Sequence, residues 1–302
     1  MSSIAYVTDE NMLEYHRQCR NTSILFWRVS SKKKFSDFKN GDLLFFFART
    51  LHSRKKGLVG YAHFDSVKRL SLSQMWKTYG QTTGYDNEEL LKNAIERAAK
   101  GEIPKQMSCL YLTDVVFFVS PIYPNEIGVD IPINLESYCY LDRNNPEVTV
   151  EILKKAGQRG IDEWTMDQSV DAKEIFLRDE IRQQIAAVHN AIGIESGSDK
   201  ERKQSIRFAN EKVAGGNGWE LIRGSKTDCV KIDTNSIVLG LPFTTQANDK
   251  DARVREFVGR LAMYQMMLEK ANLGRRLTFQ VLGSNPPQDI QAYVEHFNNE
   301  SL

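Results

Sequence analysis

Hydrophobic residues in this chain follow two different rhythms, and the change between them falls near Arg143-Asn144-Asn145-Pro146. Before that point, short apolar and aromatic runs stand between turn signals, as β-strands do; after it, apolar residues recur at helical spacing. Strand side chains alternate between two faces, whereas helix side chains share a face every third or fourth residue, so neither pattern serves the other element. Two folds in series follow, and 302 residues allow each its own core. The boundaries read as a domain over 1–145, a linker over 146–171 and a second domain over 172–302.

In the first half, strands are predicted over Ile24–Val29, Leu43–Ala48, Gly57–Phe64 and Leu110–Val119, with Asn40-Gly41-Asp42 as a turn. A short helix runs from Ser71 to Tyr79 with Ser71 or Ser73 as cap, and Asp86-Asn87-Glu88-Glu89 opens a second helix to Lys100. Pro121, Pro124 and Pro132 punctuate an extended crossing segment. In the second half, helices are predicted over 148–156, 172–190, 200–214, 251–271 and 288–297. Strands fall at 220–222, 229–232, 237–241 and 277–282.

Charge is uneven although the whole chain carries only +1. From Arg17 to Lys77 stand 14 Lys and Arg against three acids (Asp37, Asp42, Asp65), which is +11 and leaves −10 for the rest. A face of that sign attracts a polyanion and releases its counterions, so nucleic acid is the expected partner. Taken singly, the clusters Lys32-Lys33-Lys34 and Arg54-Lys55-Lys56 also read as solvated lysines on loops.

Other classes fall away on composition. No apolar run approaches the ~18 residues of a membrane span, and Met1–Asp9 lacks the pattern of a secretory signal, so a cytoplasmic protein without membrane contact is expected. Cys19, Cys109, Cys139 and Cys229 form no C-x-x-C pair, which argues against structural zinc and for reduced, mostly buried thiols. No Walker loop, nucleophile elbow or zincin helix is present, and Gly215-Gly216-Asn217-Gly218 follows a helix rather than opening one, making it a poor phosphate cradle.

The order FWRV (Phe26–Val29), FKNGDLLFFFA (Phe38–Ala48), GLVGYAHF (Gly57–Phe64), then a helix with Trp76 and Tyr79-Gly80, resembles the PUA-like superfamily, particularly its EVE-like members. The resemblance spans about residues 20–140 and implies a small β-barrel with flanking helices that binds RNA or a modified, flipped-out DNA base. An extruded base needs a flat aromatic surface and a few groups to read its edge. Trp27, Trp76 and Tyr79 are the candidate walls; Asn21, Thr22, Ser23 and Arg28 are candidates for edge or phosphate contacts, with Lys32, Lys33 and Lys34 for the backbone. A strand aromatic serves equally as core, and Phe45-Phe46-Phe47 reads as core. DNA is favoured over RNA as the partner.

The second half, ordered helix, three strands, helix, strand, helix, resembles the core of PD-(D/E)XK nucleases, a restriction-endonuclease-like α/β fold. Its pieces are RFANEKVA (Arg207–Ala214), GWELI (Gly218–Ile222), TDCVKI (Thr227–Ile232), IVLGL (Ile237–Leu241), REFVGRLAMYQ (Arg255–Gln265) and RLTFQVLG (Arg276–Gly283). The resemblance makes Asp228 the first catalytic acid and Mg²⁺ ligand and Glu211 the helical acid, Mg²⁺ being the only cofactor implied. Gly240-Leu241-Pro242 occupies the place of the second acid and lysine, leaving Lys226, Lys231 or Asp233 as substitutes or the fold without catalysis. The combined expectation is an α+β protein that senses a base for restriction or antiphage defence, as a homodimer or beside a partner nuclease subunit. The alternatives are an active modification-directed endonuclease and an RNA-binding or assembly protein.

Overall fold

The computed structural model describes residues 3–29, 38–50, 53–132, 134–143, 145, 147–165, 172–193, 197–245, 250–283 and 285–300. The chain divides into two compact units, Met1–Phe176 and Leu177–Leu302. Lys32, Lys33 and Lys34 lie outside the described residues.

The first unit is built on a six-stranded sheet of β1 (Ser3–Val7), β2 (Ile24–Phe26), β3 (Leu43–Thr50), β4 (Ser53–Leu70), β5 (Met107–Ile122) and β6 (Tyr138–Tyr140), in the order β2-β5-β4-β3-β1-β6. Among the described residues of this sheet, only β1 and β3 pair in parallel. α1 (Glu10–Gln18) joins the first two strands, and Asp9 caps it by accepting from the Met12 amide at 3.0 Å. Neither β1, α1 nor β6 was predicted, although Met12, Leu13 and His16 stand at helical spacing and are buried.

Alternation along β3 feeds two cores. Leu43, Phe45 and Phe47 join one cluster with Tyr61, Val116 and Phe118, while Leu44, Phe46 and Ala48 join another with Tyr6, Phe26 and Phe64. The second cluster fills the inside of a curled sheet: Tyr6 on β1 meets Phe26 on β2 at 4.7 Å between ring centroids, although four ladders separate their strands in the order. The expected closed barrel is therefore corrected to an open sheet. Its end strands, β2 and β6, have three residues each, and no ladder joins them among the described residues.

Gly60 permits the curl, because a Cβ there would stand 2.4 Å from the Val116 carbonyl oxygen, closer than real contacts allow. Outside β2 and β5, α2 (Leu72–Tyr79) and α3 (Glu88–Ala99) cover a cluster of Leu25, Met75, Leu91, Ile95, Met107 and Cys109. Ser71 caps α2 through a reciprocal capping box with Gln74. The stretch read as a linker contains α4 (Glu147–Arg159), whose Val148, Ile152, Leu153 and Ala156 pack into the first core with Phe176.

The second unit contains most of α5 (Ala172–Ile192), then α6 (Asp199–Ala214), β7 (Trp219–Leu221), β8 (Cys229–Ile232), β9 (Ser236–Pro242), α7 (Lys250–Ala271), β10 (Arg276–Leu282) and α8 (Gln288–Glu300). Its sheet runs β10-β9-β8-β7, antiparallel from β7 to β9 and parallel between β9 and β10. Phe208 and Ala209 of α6 pack with Cys229 and Leu282; a larger core joins sheet residues such as Val230 and Leu239 to α5, α7 and α8.

Candidate nucleic-acid interface

β3 and β4 place Arg49 directly opposite Lys56. Like charges facing across a ladder repel. Lys56 donates to the Leu135 carbonyl at 3.3 Å and lies 5.9 Å from the Phe47 ring centroid. Arg49 is exposed and has no partner among the described residues. With Lys55, these cations line a cleft of about 700 Å³ whose further lining includes Tyr123, Asn125 and Asp130. That volume is of the order of small-ligand sites, and cations outnumber acids along it.

Arg49 also lines a second cleft, of about 250 Å³, between α1 and the strands, together with Glu10, Arg17, Val59, Phe117 and Val119. Arg17 is held there by Asp162 at 3.1 Å, the Phe118 carbonyl at 2.9 Å and the Phe117 ring at 5.3 Å. Glu10 Oε1 and Arg17 Nε are both buried without a hydrogen-bond partner among the described residues, although Nε pairs ionically with Asp162.

The candidate aromatic walls come together on one cluster. Trp27, Trp76 and Tyr79 are half-buried against Leu25, Met75 and Cys109, with Trp27 at 6.3 Å from Tyr85 and Tyr79 at 5.5 Å from Tyr111. The Trp27 Nε1 is buried without a partner among the described residues. Burial also raises the Tyr79 phenol above its ordinary range.

The polar candidates scatter. Arg28 is buried, and its charge acts on the Tyr6 hydroxyl and the Cys109 thiol inside the fold. Asn21 Nδ2 donates to His16 Nδ1 at 2.9 Å, Thr22 is exposed with its carbonyl accepting from the Val115 amide at 3.3 Å, and Ser23 is half-buried. His16, which the sequence reading passed over, is fully buried against Gly84 (φ +92), and that burial depresses it to about 4.

In the second unit, Asp228 and Glu211 have different surroundings. Asp228 is completely buried; it accepts from the Tyr264 hydroxyl at 2.9 Å and the Thr227 hydroxyl at 3.0 Å, pairs with Arg260, and lies 3.3 Å from His189 Nδ1. Burial alone would raise this carboxyl, but His189, Arg260 and Tyr264 outweigh it and hold it below the usual range. Glu211 is exposed and pairs with Arg207 at 3.3 Å. Among the substitutes, Lys231 pairs with Asp233 at 3.1 Å. Among the described residues, no group of three or more His, Cys, Asp or Glu is placed to hold a metal ion. Among the described residues no helix is long and apolar enough to cross a membrane, and the four cysteines are free, with Cys109 and Cys229 buried, Cys139 half-buried and Cys19 exposed.

No protein-family model matches the chain. No curated protein matches it significantly. Among solved structures, the ASCH protein of Zymomonas mobilis aligns with 50% of this chain and 94% of its own, at 12% identity and a TM-score of 0.35. Two single-residue variants of that protein give 14% identity with a TM-score of 0.36 and 12% with 0.35, each over 51% of this chain and over 98% and 95% of their own.

Glu10, Arg49 and the clefts were missed at the level of sequence. Asp9 as a cap before Met12, Leu13 and His16 was a readable signal for α1 and hence for Glu10. Nothing local brings the 123–131 segment to Lys55 and Lys56.

Proposed function

We propose that the first unit binds nucleic acid along the cleft of Arg49, Lys55 and Lys56, and that the second unit supports it without catalysis. The observation that carries this reading is Arg49, an exposed cation without a partner among the described residues, set opposite Lys56 and shared by two clefts. The +11 segment from Arg17 to Lys77 extends the same sign. Phosphate contacts of this kind position a strand without reading its sequence.

For the second unit, the support is that Asp228 already balances Arg260 within the core and that Gly240 and Pro242 occupy β9 where a catalytic acid and lysine are needed. Sensing of a modified base in a restriction or antiphage setting would add a preference for methylated strands to this reading.

The test is fluorescence anisotropy with the full chain and labelled single-stranded and duplex DNA and RNA across a salt series. Log affinity is expected to fall with log salt by roughly 0.7 per phosphate contact on single strands. An Arg49→Gln, Lys55→Gln double variant should lose one to two contacts' worth of slope. A salt-independent wild type, or a double variant with the parental slope and unchanged affinity, sinks the proposal. The same titration with methylated strands measures any modification preference.

A further inference from the structure

Helix α7 buries one face in the core of the second unit and leaves a second apolar face uncovered. Arg253, Phe257, Arg260, Leu261, Tyr264 and Leu268 are buried on the first. Gly259, Ala262, Met263 and Met266 recur at helical spacing on the other and are exposed, Met266 by 65% and Met263 by 39%. A helix that is apolar all round is ordinarily covered all round. Methionine suits such a surface, because its unbranched thioether adapts to whatever shape faces it.

Gly259 adds a second observation. Glycine inside a helix weakens it relative to alanine, and a Cβ at this position would meet nothing within 4 Å. The missing side chain therefore serves no contact among the described residues, whereas a close approach from outside needs it. Charge indicates what approaches. Arg255 is exposed and has no partner among the described residues. Glu269 is exposed, accepts from the neutral Gln265 Nε2 at 2.9 Å and makes no ion pair among the described residues. The two stand seven residues to either side of Ala262. That spacing puts each about 10 Å from Ala262 along the axis and keeps all three on one flank of the exposed face.

We propose that a second copy of this chain docks on the exposed face of α7, the two helices lying antiparallel about a two-fold axis at Ala262. In that register Arg255 meets the partner's Glu269, and Met266 lies beside the partner's Gly259, where no side chain stands in its way. Each contact occurs twice, as a two-fold axis requires. Parallel pairing would instead set Arg255 against Arg255 and Glu269 against Glu269, and like charges repel. A helix of 22 residues is about 33 Å long. One helix pair of that length lies at or below the ~1,200 Å² that marks the low end of stable interfaces, so a micromolar dimer is expected. Docking of this kind needs no nucleic acid, and its failure would leave the reading above untouched.

The experiment is sedimentation equilibrium of the full chain, without nucleic acid, from about 1 to 100 μM. The wild type should show a monomer–dimer equilibrium within that range. Arg255→Glu and Glu269→Arg should each weaken the dimer by at least about fivefold, since either reversal turns two attractive pairs into two repulsive ones. The variant carrying both reversals should return to within about twofold of wild type, because the pairs are restored with their signs exchanged. Gly259→Gln should weaken the dimer by about tenfold or more. At dilutions where wild type and variant are both monomeric, its thermal midpoint should match or exceed the parental one, because glutamine favours helix over glycine. That opposition of sign separates a docking face from a folding defect. A chain that stays monomeric throughout overturns the proposal. So does a dimer that the single reversals or Gly259→Gln leave at parental strength, or one that the double reversal fails to restore.

Discussion

At the scale of single residues, two buried titratable groups in the first unit pull stability in opposite directions with pH. His16 is held neutral by burial and titrates near 4 in the folded chain, against about 6.5 unfolded, so protonation favours unfolding. Its stabilising term is complete above pH 6.5 and is lost as pH falls toward 4, about 3 kcal/mol over that window. Asp142 has the reverse sign. Burial raises it to about 6, outweighing the Ser3 amide, which donates to Oδ2 at 2.8 Å. Its ionisation costs stability as pH rises from about 4 to 6, again about 3 kcal/mol. Urea midpoints across pH 4–7 should separate the two: His16→Gln should leave a chain that weakens toward pH 6, and Asp142→Asn one that strengthens. Parallel curves for both variants would show that these groups do not dominate. In the second unit, Asp228→Asn should cost about 3–5 kcal/mol, because Arg260 is left buried without its counter-charge. Neither form should cleave DNA with Mg²⁺; cleavage by the wild type that Asp228→Asn abolishes while still folded would restore the nuclease reading.

At the scale of elements, α4 decides where the first unit ends. Four of its side chains, Val148, Ile152, Leu153 and Ala156, are buried in the core with Phe45 and Phe118. Full burial of a single Val, Leu or Ile is worth roughly 1.5–3 kcal/mol, and whole domains are stable by only about 5–15 kcal/mol. A fragment over residues 1–145 should therefore lack cooperative unfolding, whereas one over 1–176 should unfold in a single transition by circular dichroism. Equal transitions in both fragments would mean that α4 is dispensable. The expected linker arose from reading a change of hydrophobic rhythm as a boundary. A helix that caps a sheet belongs to the sheet's unit although its periodicity differs, and α4 is such a helix. Ser71 as the cap of α2 and Asn87 as the cap of α3 were legible, because a cap bonds within its own turn. β1 and β6 were not, being a five-residue and a three-residue strand whose partners are distant in sequence.

At the scale of the whole molecule, residue order determined a good deal without help. Strand-like alternation in the first half, helical spacing in the second and the excess of cations between Arg17 and Lys77 are local properties, and each element predicted from them has its counterpart in the fold. The order of helices and strands in the second unit likewise follows from short-range pattern. What pattern could not decide was closure and company. Whether the six-stranded sheet shuts into a barrel depends on whether β2 meets β6; among the described residues no ladder joins them, and ring packing of Phe26 on Tyr6 spans the gap instead. Whether a charge is available depends on what surrounds it: Arg28 is enclosed and Asp228 neutralised, while Arg49 is exposed in the wall of two clefts. Local sequence sets which side chains a segment carries and how they alternate, but burial and pairing are made by segments far apart in the chain, so the candidate site came into view only once β3, β4, β5 and α1 were packed together.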